Sequence, residues 1–321
     1  MRKVNQENVA GVWSAMPTPF TDELKLDTES ISRLVEHHVR LGIKGVLIAG
    51  FNGEGHLMND SIKMELAAEV VKSNQDRMFL SMMIMDSSAE MMLDNIKQAE
   101  DCGIDIVMIG FPFAPLDLKP EYLRELYLSV LEESSLPVSI SHINRCSPNL
   151  SGIELFKELI MHPKVILLND CSNDLDKIDM LLDAAEQRKN KLSVFTGNAF
   201  SCASYGELGY KGFLLASACF TGHIAGKILG FVQTGRAKHA QDLQDYMNSL
   251  LIDVLGLDFE HYLIGQKQMM VELGIFSTAK TLQDYQVPED LIFTIKELVE
   301  QEKEFLLPEI KQIKKQEAAN V

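Results

Sequence analysis

Short apolar segments alternate with amphipathic stretches over the first two thirds of the chain, and this alternation constrains the fold more than any other feature. Eight such segments occur, each four to eight residues long and rich in Val, Ile, Leu, Met and Phe. They cover residues 12–18, 45–50, 78–85, 104–110, 137–143, 165–168, 192–196 and 212–217. Continuous apolarity, rather than alternation of apolar and polar residues, is typical of strands covered on both faces, as in a parallel sheet.

The stretches between the apolar segments have the periodicity of helices. Ile31 and Leu34 lie one helical turn apart on an apolar stripe, and Asp27 or Thr28 is placed to cap that helix. Pro120 stands where the first residue of another helix is expected. Eight repeats of a strand followed by a helix predict a (β/α)8 TIM barrel. A doubly wound open α/β sheet is the alternative, although roughly six strands are more usual there.

The last third of the chain has a different pattern. After Gly222 no further strand signal appears, and helical patterns follow over residues 223–234, 237–255, 261–273 and 288–315. No linker rich in Ser and Gly separates these helices from the barrel, so we expect them to pack on it. The predicted organisation is therefore a barrel over residues 1–222 and a C-terminal helical extension over residues 223–321.

The composition excludes several classes of protein. Hydrophobic residues make up 46% and charged residues 24% of the 321 residues, as in ordinary globular chains. The net charge of -16 disfavours nucleic acid and anionic membrane surfaces as partners. The first residues lack the apolar core of a signal peptide, and no apolar run is long enough to span a membrane. Five cysteines without a Cys-x-x-Cys motif favour a reducing compartment, so we expect a cytoplasmic protein.

The loop after the second apolar segment carries the most specific motif. It reads Gly-Phe-Asn-Gly-Glu-Gly over residues 50–55, which resembles the Gly-Thr-Thr-Gly-Glu turn of the dihydrodipicolinate synthase and N-acetylneuraminate lyase family. Further pieces resemble that family in order and spacing, at residues 15–20, 111–113, 136–138, 196–198 and 267–274. The resemblance implies a (β/α)8 enzyme that handles pyruvate through a lysine imine and that assembles as a homodimer or homotetramer.

The positions that carry the family's chemistry hold different residues in this chain. The imine-forming lysine of the sixth strand is replaced by Asn169, in a Leu-Asn-Asp sequence where the family has Ile-Lys-Glu. The substrate-binding arginine after the fifth strand is replaced by Cys146, with Arg145 one place away. The three positions of the family's Tyr and Thr proton relay hold Ser141, Phe51 and Ala114. The groups that would act in catalysis are therefore unknown from the sequence.

No other lysine is placed to replace the missing amine. An imine needs an amine at the pocket, which in a barrel lies at the carboxyl ends of the strands. Lys44, Lys164 and Lys211 stand immediately before strands, at the opposite end, and no lysine terminates a strand. We therefore predict that the protein forms no imine with pyruvate.

Polar residues remain at the predicted strand ends and suggest that the pocket still binds a small molecule. Alternation places Ser141 inside the barrel, His142 toward the helices and Asn169 inside. His142 is interpreted as a strand-end histidine hydrogen-bonded beneath a loop, with a ligand or catalytic role as the alternative. The candidate ligand-binding residues are Phe51, Asn52, Ser141, His142, Asn169 and Asn198.

Other titratable residues each have a structural and a functional interpretation. Glu54 and His56 could act in acid–base chemistry or bind a metal, but a loop-ordering Glu and a solvated His are favoured. Asp86 is favoured as a helix N-cap, Cys171 as an inert thiol rather than a nucleophile, and His38 as a core residue. No residues have the spacing of metal ligands, so neither a metal nor another cofactor is predicted.

Two classes of function remain open, and whether the protein is an enzyme is left undecided between them. The first is a divergent lyase or aldolase that acts on a 2-oxo acid by other chemistry, such as metal-assisted catalysis. The second is a family member that lacks the imine reaction, or is catalytically silent, and binds a small metabolite, such as a 2-oxo acid, or a partner protein. The loss of the lysine together with the whole proton relay favours the second class.

Overall fold

Eight parallel strands close into a barrel in the order of the sequence, with β8 beside β1. The structure is a computed structural model that describes residues 4–5, 7–86, 88–110, 120–142, 153–173, 175–188 and 192–309. The strands are β1 Gly11–Ala15, β2 Gly45–Ile48, β3 Phe79–Ile84, β4 Ile106–Ile109, β5 Val138–His142, β6 Val165–Asp170, β7 Ser193–Thr196 and β8 Gly212–Leu215. The predicted (β/α)8 barrel is confirmed, and the open-sheet alternative is wrong.

Helices connect successive strands, and further helices follow the barrel. The barrel helices are α1 Thr28–Arg40, α2 Asp60–Asn74, α3 Ala89–Cys102, α4 Pro120–Glu133, α5 Ile153–Met161, α6 Leu175–Glu186, α7 Cys202–Glu207 and α8 Ala218–Gln233. The C-terminal helices are α9 Ala237–Leu255, α10 Tyr262–Glu272, α11 Glu289–Gln301 and α12 Lys303–Leu306. Short 3-10 helices follow β2 and β7, at Gly55–Leu57 and Ala199–Ser201. Within the described ranges, no helix has both the length and the apolarity needed to cross a membrane.

Polar side chains fix where barrel helices begin. Asp27 accepts a hydrogen bond from the backbone N–H of Ser30 at 3.0 Å and caps α1, as predicted. At α3 the capping residue is Ser88, which accepts from the N–H of Met91. The predicted cap at Asp86 is therefore wrong, because α3 begins directly after Ser88 and Asp86 lies before the capping position.

Aromatic rings fill the barrel interior toward the amino ends of the strands. The Trp13 ring stacks on Phe79 with centroids 6.2 Å apart and meets Phe195 at 6.3 Å. Gly45 and Gly212 leave room for these rings, since a Cβ on Gly45 would lie 2.7 Å from Trp13 and one on Gly212 would lie 2.6 Å from Phe195. The space for a ligand is therefore left at the carboxyl ends of the strands.

The transition from barrel to extension lies within α8. This helix begins at Ala218, and not at residue 223 as predicted, so the predicted boundary between residues 222 and 223 falls inside it. The difference arises because residues 218–222 are buried and form the first turn of the barrel's eighth helix. α9 packs along α8, and α10 packs on both. The helix predicted over residues 288–315 is divided at Glu302 into α11 and α12.

Candidate ligand-binding site at the barrel mouth

Two polar side chains on neighbouring strands face the barrel mouth, the opening formed by the carboxyl ends of the strands. Ser141 on β5 pairs in register with Asn169 on β6, and the two residues are 2% and 4% exposed. Ile140 packs in the outer core and Leu167 in the cluster inside the barrel. Alternation along each strand therefore places Ser141 and Asn169 on the inner face, where the sequence predicts them.

The amide of Asn169 uses only part of its hydrogen-bonding capacity. Its Nδ2 donates to the Sγ of Cys171 at 3.3 Å. Its Oδ1 is buried and has no hydrogen-bond partner in the part of the chain that the structure describes. A buried amide oxygen without a partner costs free energy unless a ligand or a water supplies a donor. Asn169 therefore presents a hydrogen-bond acceptor to the mouth.

Asp170 points away from the mouth and fixes the end of β6. The Tyr210 hydroxyl donates to Oδ2 of Asp170 at 2.7 Å, and the N–H of Ser172 donates to Oδ1 at 2.9 Å. Burial and the Asp170 carboxylate raise the pKa of Tyr210, so its hydroxyl remains a donor. These bonds hold the backbone around Asp170, and Asn169 and Cys171 keep their orientation toward the mouth.

Asn52, in the loop after β2, uses its amide within the protein. Its Nδ2 donates to the backbone oxygen of Ala15 at 2.6 Å and to Oε1 of Gln266 at 3.3 Å. The Nε2 of Gln266 donates back to Oδ1 of Asn52 at 3.1 Å. Asn52 therefore ties the end of β1 to α10, and its amide is already occupied.

Glu54, in the same loop, forms a buried ion pair with Lys267 of α10. Lys267 is 0% exposed, and its Nζ also donates to the backbone oxygen of Lys280 at 2.7 Å. Oε2 of Glu54 accepts from the N–H of Leu282 at 2.7 Å. Burial lowers the pKa of Lys267 to about 8, although Glu54 acts in the opposite direction. The loop-ordering interpretation of Glu54 is therefore confirmed.

Phe51 lies beside a cavity of about 510 Å³ rather than filling it. Its ring packs against His56, with centroids 5.6 Å apart. The cavity lies between the loop after β2, the start of α10 and the segment before α11, and its lining includes Phe51, Asn52, Phe259, Tyr262, Tyr285 and Gln286. Cavities of about 300–1,000 Å³ with mostly apolar walls and a few polar groups are typical of small-molecule sites.

Tyr262, at the start of α10, lines this cavity and is 39% exposed. Burial of its hydroxyl, and the nearby thiols of Cys171 and Cys219, raise its pKa. Tyr262 and Lys267 are not among the residues predicted for the site, because both come from α10, far along the chain from the strand ends. One signal was available, since Tyr262 and Gln266 share a helical face at i and i+4.

Asn198, just beyond β7, is engaged locally. Its Oδ1 accepts from the N–H of Phe200 at 3.0 Å and caps the 3-10 helix Ala199–Ser201. Its Nδ2 donates to Oδ1 of Asn173 at 2.9 Å. Asn198 therefore links the loops after β6 and β7, next to the mouth.

Several residues singled out in the sequence lie outside the described structure. The backbone of His142 pairs with Asp170 in the sheet, but its side chain is not described. Ala114, Arg145 and Cys146 lie in ranges that the structure does not describe. Their proposed correspondence to family positions stays a prediction.

Two of the lysines that precede strands lie away from the mouth, as predicted. Lys44 Nζ lies over the Phe79 ring, 5.7 Å from its centroid, at the amino end of the barrel. Lys164 Nζ donates to the backbone oxygen of Ser134, in the loop before β5. Among the described residues, no three His, Cys, Asp or Glu side chains are grouped closely enough to hold a metal ion.

Comparison with known proteins gives a consistent result. The family described as "Dihydrodipicolinate synthetase family" matches residues 8–285. The N-acetylneuraminate lyase of Rhizobium meliloti (strain 1021) is 23% identical over 272 residues, which cover 85% of this chain and 84% of that protein. The 4-hydroxy-tetrahydrodipicolinate synthase of Thermotoga sp. (strain RQ2) is 24% identical over 193 residues, which cover 59% of this chain and 64% of that protein, slightly less than two thirds of its length.

Solved structures share the fold over nearly the whole chain. The N-acetylneuraminate lyase from Fusobacterium nucleatum has a TM-score of 0.83 at 17% identity, covering 93% of this chain and 99% of that one. The dihydrodipicolinate synthase from Aquifex aeolicus has a TM-score of 0.82 at 18% identity, covering 94% and 100%. At these identities the likeness shows the fold alone.

Proposed function

Because the chain belongs to the dihydrodipicolinate synthetase family, we propose that it binds a small 2-oxo acid at the barrel mouth without forming a lysine imine. The observation that carries the proposal is the presence of Asn169 near the carboxyl end of β6, on its inner face. The resemblance implies the imine-forming lysine at this position. A carboxamide nitrogen is not a nucleophile toward ketones at neutral pH, so Asn169 cannot supply the amine. The protein would then lack the imine reaction, or be catalytically silent.

The surroundings of Lys267 support the same conclusion. Its Nζ is enclosed by Glu54, the backbone oxygen of Lys280 and the Phe20 ring, whose centroid is 4.5 Å away. An imine at Nζ would break these contacts and leave Glu54 as an unpaired, buried carboxylate, which is strongly unfavourable. Lys267 is therefore a structural lysine in this proposal.

The polar groups at the mouth support binding of a small acid. The hydroxyl of Ser141 can donate to a carbonyl or carboxylate oxygen, and Oδ1 of Asn169 can accept from a hydroxyl or a bound water. Tyr262, whose hydroxyl interacts electrostatically with Cys171, lines a cavity large enough for a metabolite. A few polar groups among apolar walls would fix the orientation of the ligand.

Borohydride reduction in the presence of pyruvate tests the absence of an imine. We expect the intact mass of the full-length protein to remain unchanged, whereas a family member with the lysine in place serves as the positive control. A stoichiometric adduct mapped to Lys267 or any other lysine would contradict the proposal. The variant Asn169→Lys with Ser141→Tyr should regain trapping only in part, because Phe51 still occupies a relay position.

A thermal-shift screen over 2-oxo acids and sugar acids tests ligand binding. A ligand present at a hundredfold excess over its Kd stabilises the native state by about 2.7 kcal/mol, which a melting curve resolves. We expect a shift with at least one 2-oxo acid. No shift with any of them would contradict the binding part of the proposal while leaving the imine result intact.

The proposal includes a homodimer or homotetramer in a reducing, cytoplasmic environment. The described cysteines Cys102, Cys171, Cys202 and Cys219 form no disulfide, which agrees with such an environment. The strongly negative charge disfavours nucleic acid and membranes as partners. Light scattering at micromolar concentration that gave the mass of a single chain would contradict the oligomer.

A further inference from the structure

The thiol of Cys171 is held at the barrel mouth by two neighbours. Its Sγ lies 3.3 Å from the Nδ2 of Asn169, which donates a hydrogen bond to it. Gly197, directly after β7, makes room for the sulfur, because a Cβ on Gly197 would lie 2.3 Å from Sγ. Cys171 is half-buried and forms no disulfide. The sulfur is therefore held in a defined orientation at the mouth.

The oxygen of Asn169, which lacks a hydrogen-bond partner in the described structure, adds a polar group that a ligand beside the thiol could bind. The hydrogen bond from Nδ2 to Cys171 fixes the amide, so Oδ1 lies beside the thiol. Asn169 is 4% exposed, and Oδ1 has no partner within the described ranges. A ligand that covers the thiol and presents a hydroxyl would supply the missing donor.

Tyr262 of α10 lies near enough to the thiol to interact with it electrostatically. Burial and the thiols of Cys171 and Cys219 raise the pKa of Tyr262, so its hydroxyl stays protonated at neutral pH. A protonated phenol can donate a proton to an oxygen that gains charge. The thiol and an amide with a vacant acceptor therefore adjoin at the mouth, and a phenol lies within electrostatic range of the thiol.

The geometry points to Cys171 as a nucleophile that adds reversibly to the carbonyl carbon of a bound 2-oxo acid, an inference that rests on the proposed function. A lone pair of Sγ forms a bond to C2 while the π pair of the C2–O bond moves to the oxygen. That oxygen takes the proton of the Tyr262 hydroxyl, and the thiol proton passes to Tyr262. The product is a hemithioketal, and no further reactant is consumed. Its new hydroxyl can donate to Oδ1 of Asn169.

This adduct differs chemically from the imine that the family resemblance implies. Imine formation expels water, and the protonated imine withdraws electrons from the neighbouring carbon. A hemithioketal is saturated at C2 and cannot withdraw electrons in this way. Addition of Cys171 therefore retains the acid without activating it for carbon–carbon bond formation, which suits a protein that binds a metabolite.

Carbon-13 NMR with [2-13C]pyruvate tests the addition on the full-length protein. We expect a protein-dependent signal of a saturated C2 carbon that is absent from the Cys171→Ser variant. Cys102→Ser, at the end of α3, is the matched control and should keep the signal. Wild-type protein that binds pyruvate in the thermal-shift assay without this signal would overturn the addition and leave the proposed function intact. A wild-type protein that binds no 2-oxo acid would overturn both.

A second measurement needs no variant. Iodoacetamide labelling mapped by peptide mass spectrometry should show Cys171 protected by pyruvate, while labelling of Cys102 is unchanged. Equal labelling of Cys171 with and without saturating pyruvate would overturn the inference. In the NMR experiment, a signal of the saturated C2 carbon that persists in Cys171→Ser would also overturn the inference, since another group would then be the nucleophile.

Two variants test the neighbours of the thiol. Gly197→Ala should displace Sγ and weaken pyruvate binding by about tenfold or more. Tyr262→Phe should slow formation of the adduct more than it weakens the equilibrium affinity, because the phenol supplies a proton during addition. Equal effects on both quantities would assign Tyr262 a role in binding alone.

Discussion

Asn52 and Asn169 are the same residue type, are both 4% exposed, and lie at the same barrel mouth, yet they have different roles. Asn52 hydrogen-bonds through both of its amide atoms to Ala15 and Gln266. Asn169 donates only to a sulfur atom and leaves its oxygen without a partner in the described structure. Burial alone therefore does not separate a polar side chain that is used within the protein from one with capacity left for a ligand.

The difference extends to two sides of the mouth. The tied side consists of Asn52, Glu54, Gln266 and Lys267, which connect the loop after β2 to α10. The open side consists of Ser141, Asn169 and Cys171 at the ends of β5 and β6. On this basis, substitutions on the tied side should change stability, and substitutions on the open side should change ligand binding.

Breaking the buried ion pair should have the largest effect. Glu54→Ala leaves Lys267 as an unpaired buried charge, and we expect it to lower the free energy of unfolding by about 3–5 kcal/mol. Urea denaturation measures this change. Asp284→Ala is the matched control, because it removes the partner of the exposed Lys280 and should change stability by less than about 1 kcal/mol. A similarly small effect of Glu54→Ala would show that the tied side does not hold the fold.

Acid should lower the free energy of unfolding through two buried histidines of α1. Burial lowers the pKa of His37 to about 4 and that of His38 to about 3, from an ordinary value of 6.5. As the pH falls below 6.5 the unfolded chain takes up protons that the native state excludes, so stability is full above pH 6.5 and declines toward the native pKa values. The two residues together should cost about 2–3 kcal/mol at about pH 5.5.

Denaturation curves at several pH values measure this decline. His38→Leu should remove about half of this decline, because the two histidines contribute about equally to it. Neither ring nitrogen of His38 has a partner in the described structure, so the substitution breaks no hydrogen bond there. His37 keeps a hydrogen bond to the backbone oxygen of Cys219 at 2.8 Å. The control is His239→Gln, at an exposed position, which should leave the slope unchanged. An unaltered slope in His38→Leu would contradict the assignment.

The two asparagines themselves give a direct test. Asn52→Ala should lower the free energy of unfolding by about 1–3 kcal/mol, because it leaves buried partners on Ala15 and Gln266 unsatisfied. Asn169→Ala should cost less than about 1 kcal/mol but weaken pyruvate binding by about tenfold. Urea denaturation and thermal shift measure the two quantities. If Asn52→Ala weakened pyruvate binding and Asn169→Ala lowered stability, the roles assigned to the two sides would be wrong.

Most of the barrel can be predicted from the sequence because strands covered on both faces must be apolar throughout. The prediction is less accurate at segment ends, where apolar residues continue beyond the last residue of the strand. Met16 is buried although β1 ends at Ala15. The start of α8 is missed for a similar reason, since its first turn is as apolar as the strand before it.

The residues of the candidate site are predictable only where alternation along a strand determines which way a side chain points. Period-two alternation places Ser141 and Asn169 at the mouth without further information. It cannot show that Asn52 is engaged by Gln266, because this contact joins segments distant in sequence. The interpretation of Cys171 as inert rests on the lack of a His or basic neighbour in sequence. Its neighbours in the structure, Asn169 of β6 and Gly197 after β7, are neither, so the reactivity of the thiol stays a prediction.

Substitution of Asn198 should have the smallest effect on stability and on ligand binding. It tests whether the open side extends beyond β6. Asn198 lies beside β6, but both of its amide atoms are used, by Phe200 and Asn173. Asn198→Ala should cost about 0.5–1 kcal/mol as a lost helix cap. Pyruvate affinity should remain within about twofold of wild type, because no amide capacity is left for a ligand. Isothermal titration on the variant measures this affinity. A loss comparable to that of Asn169→Ala would extend the open side to β7 and show that a ligand displaces Asn173 from Asn198.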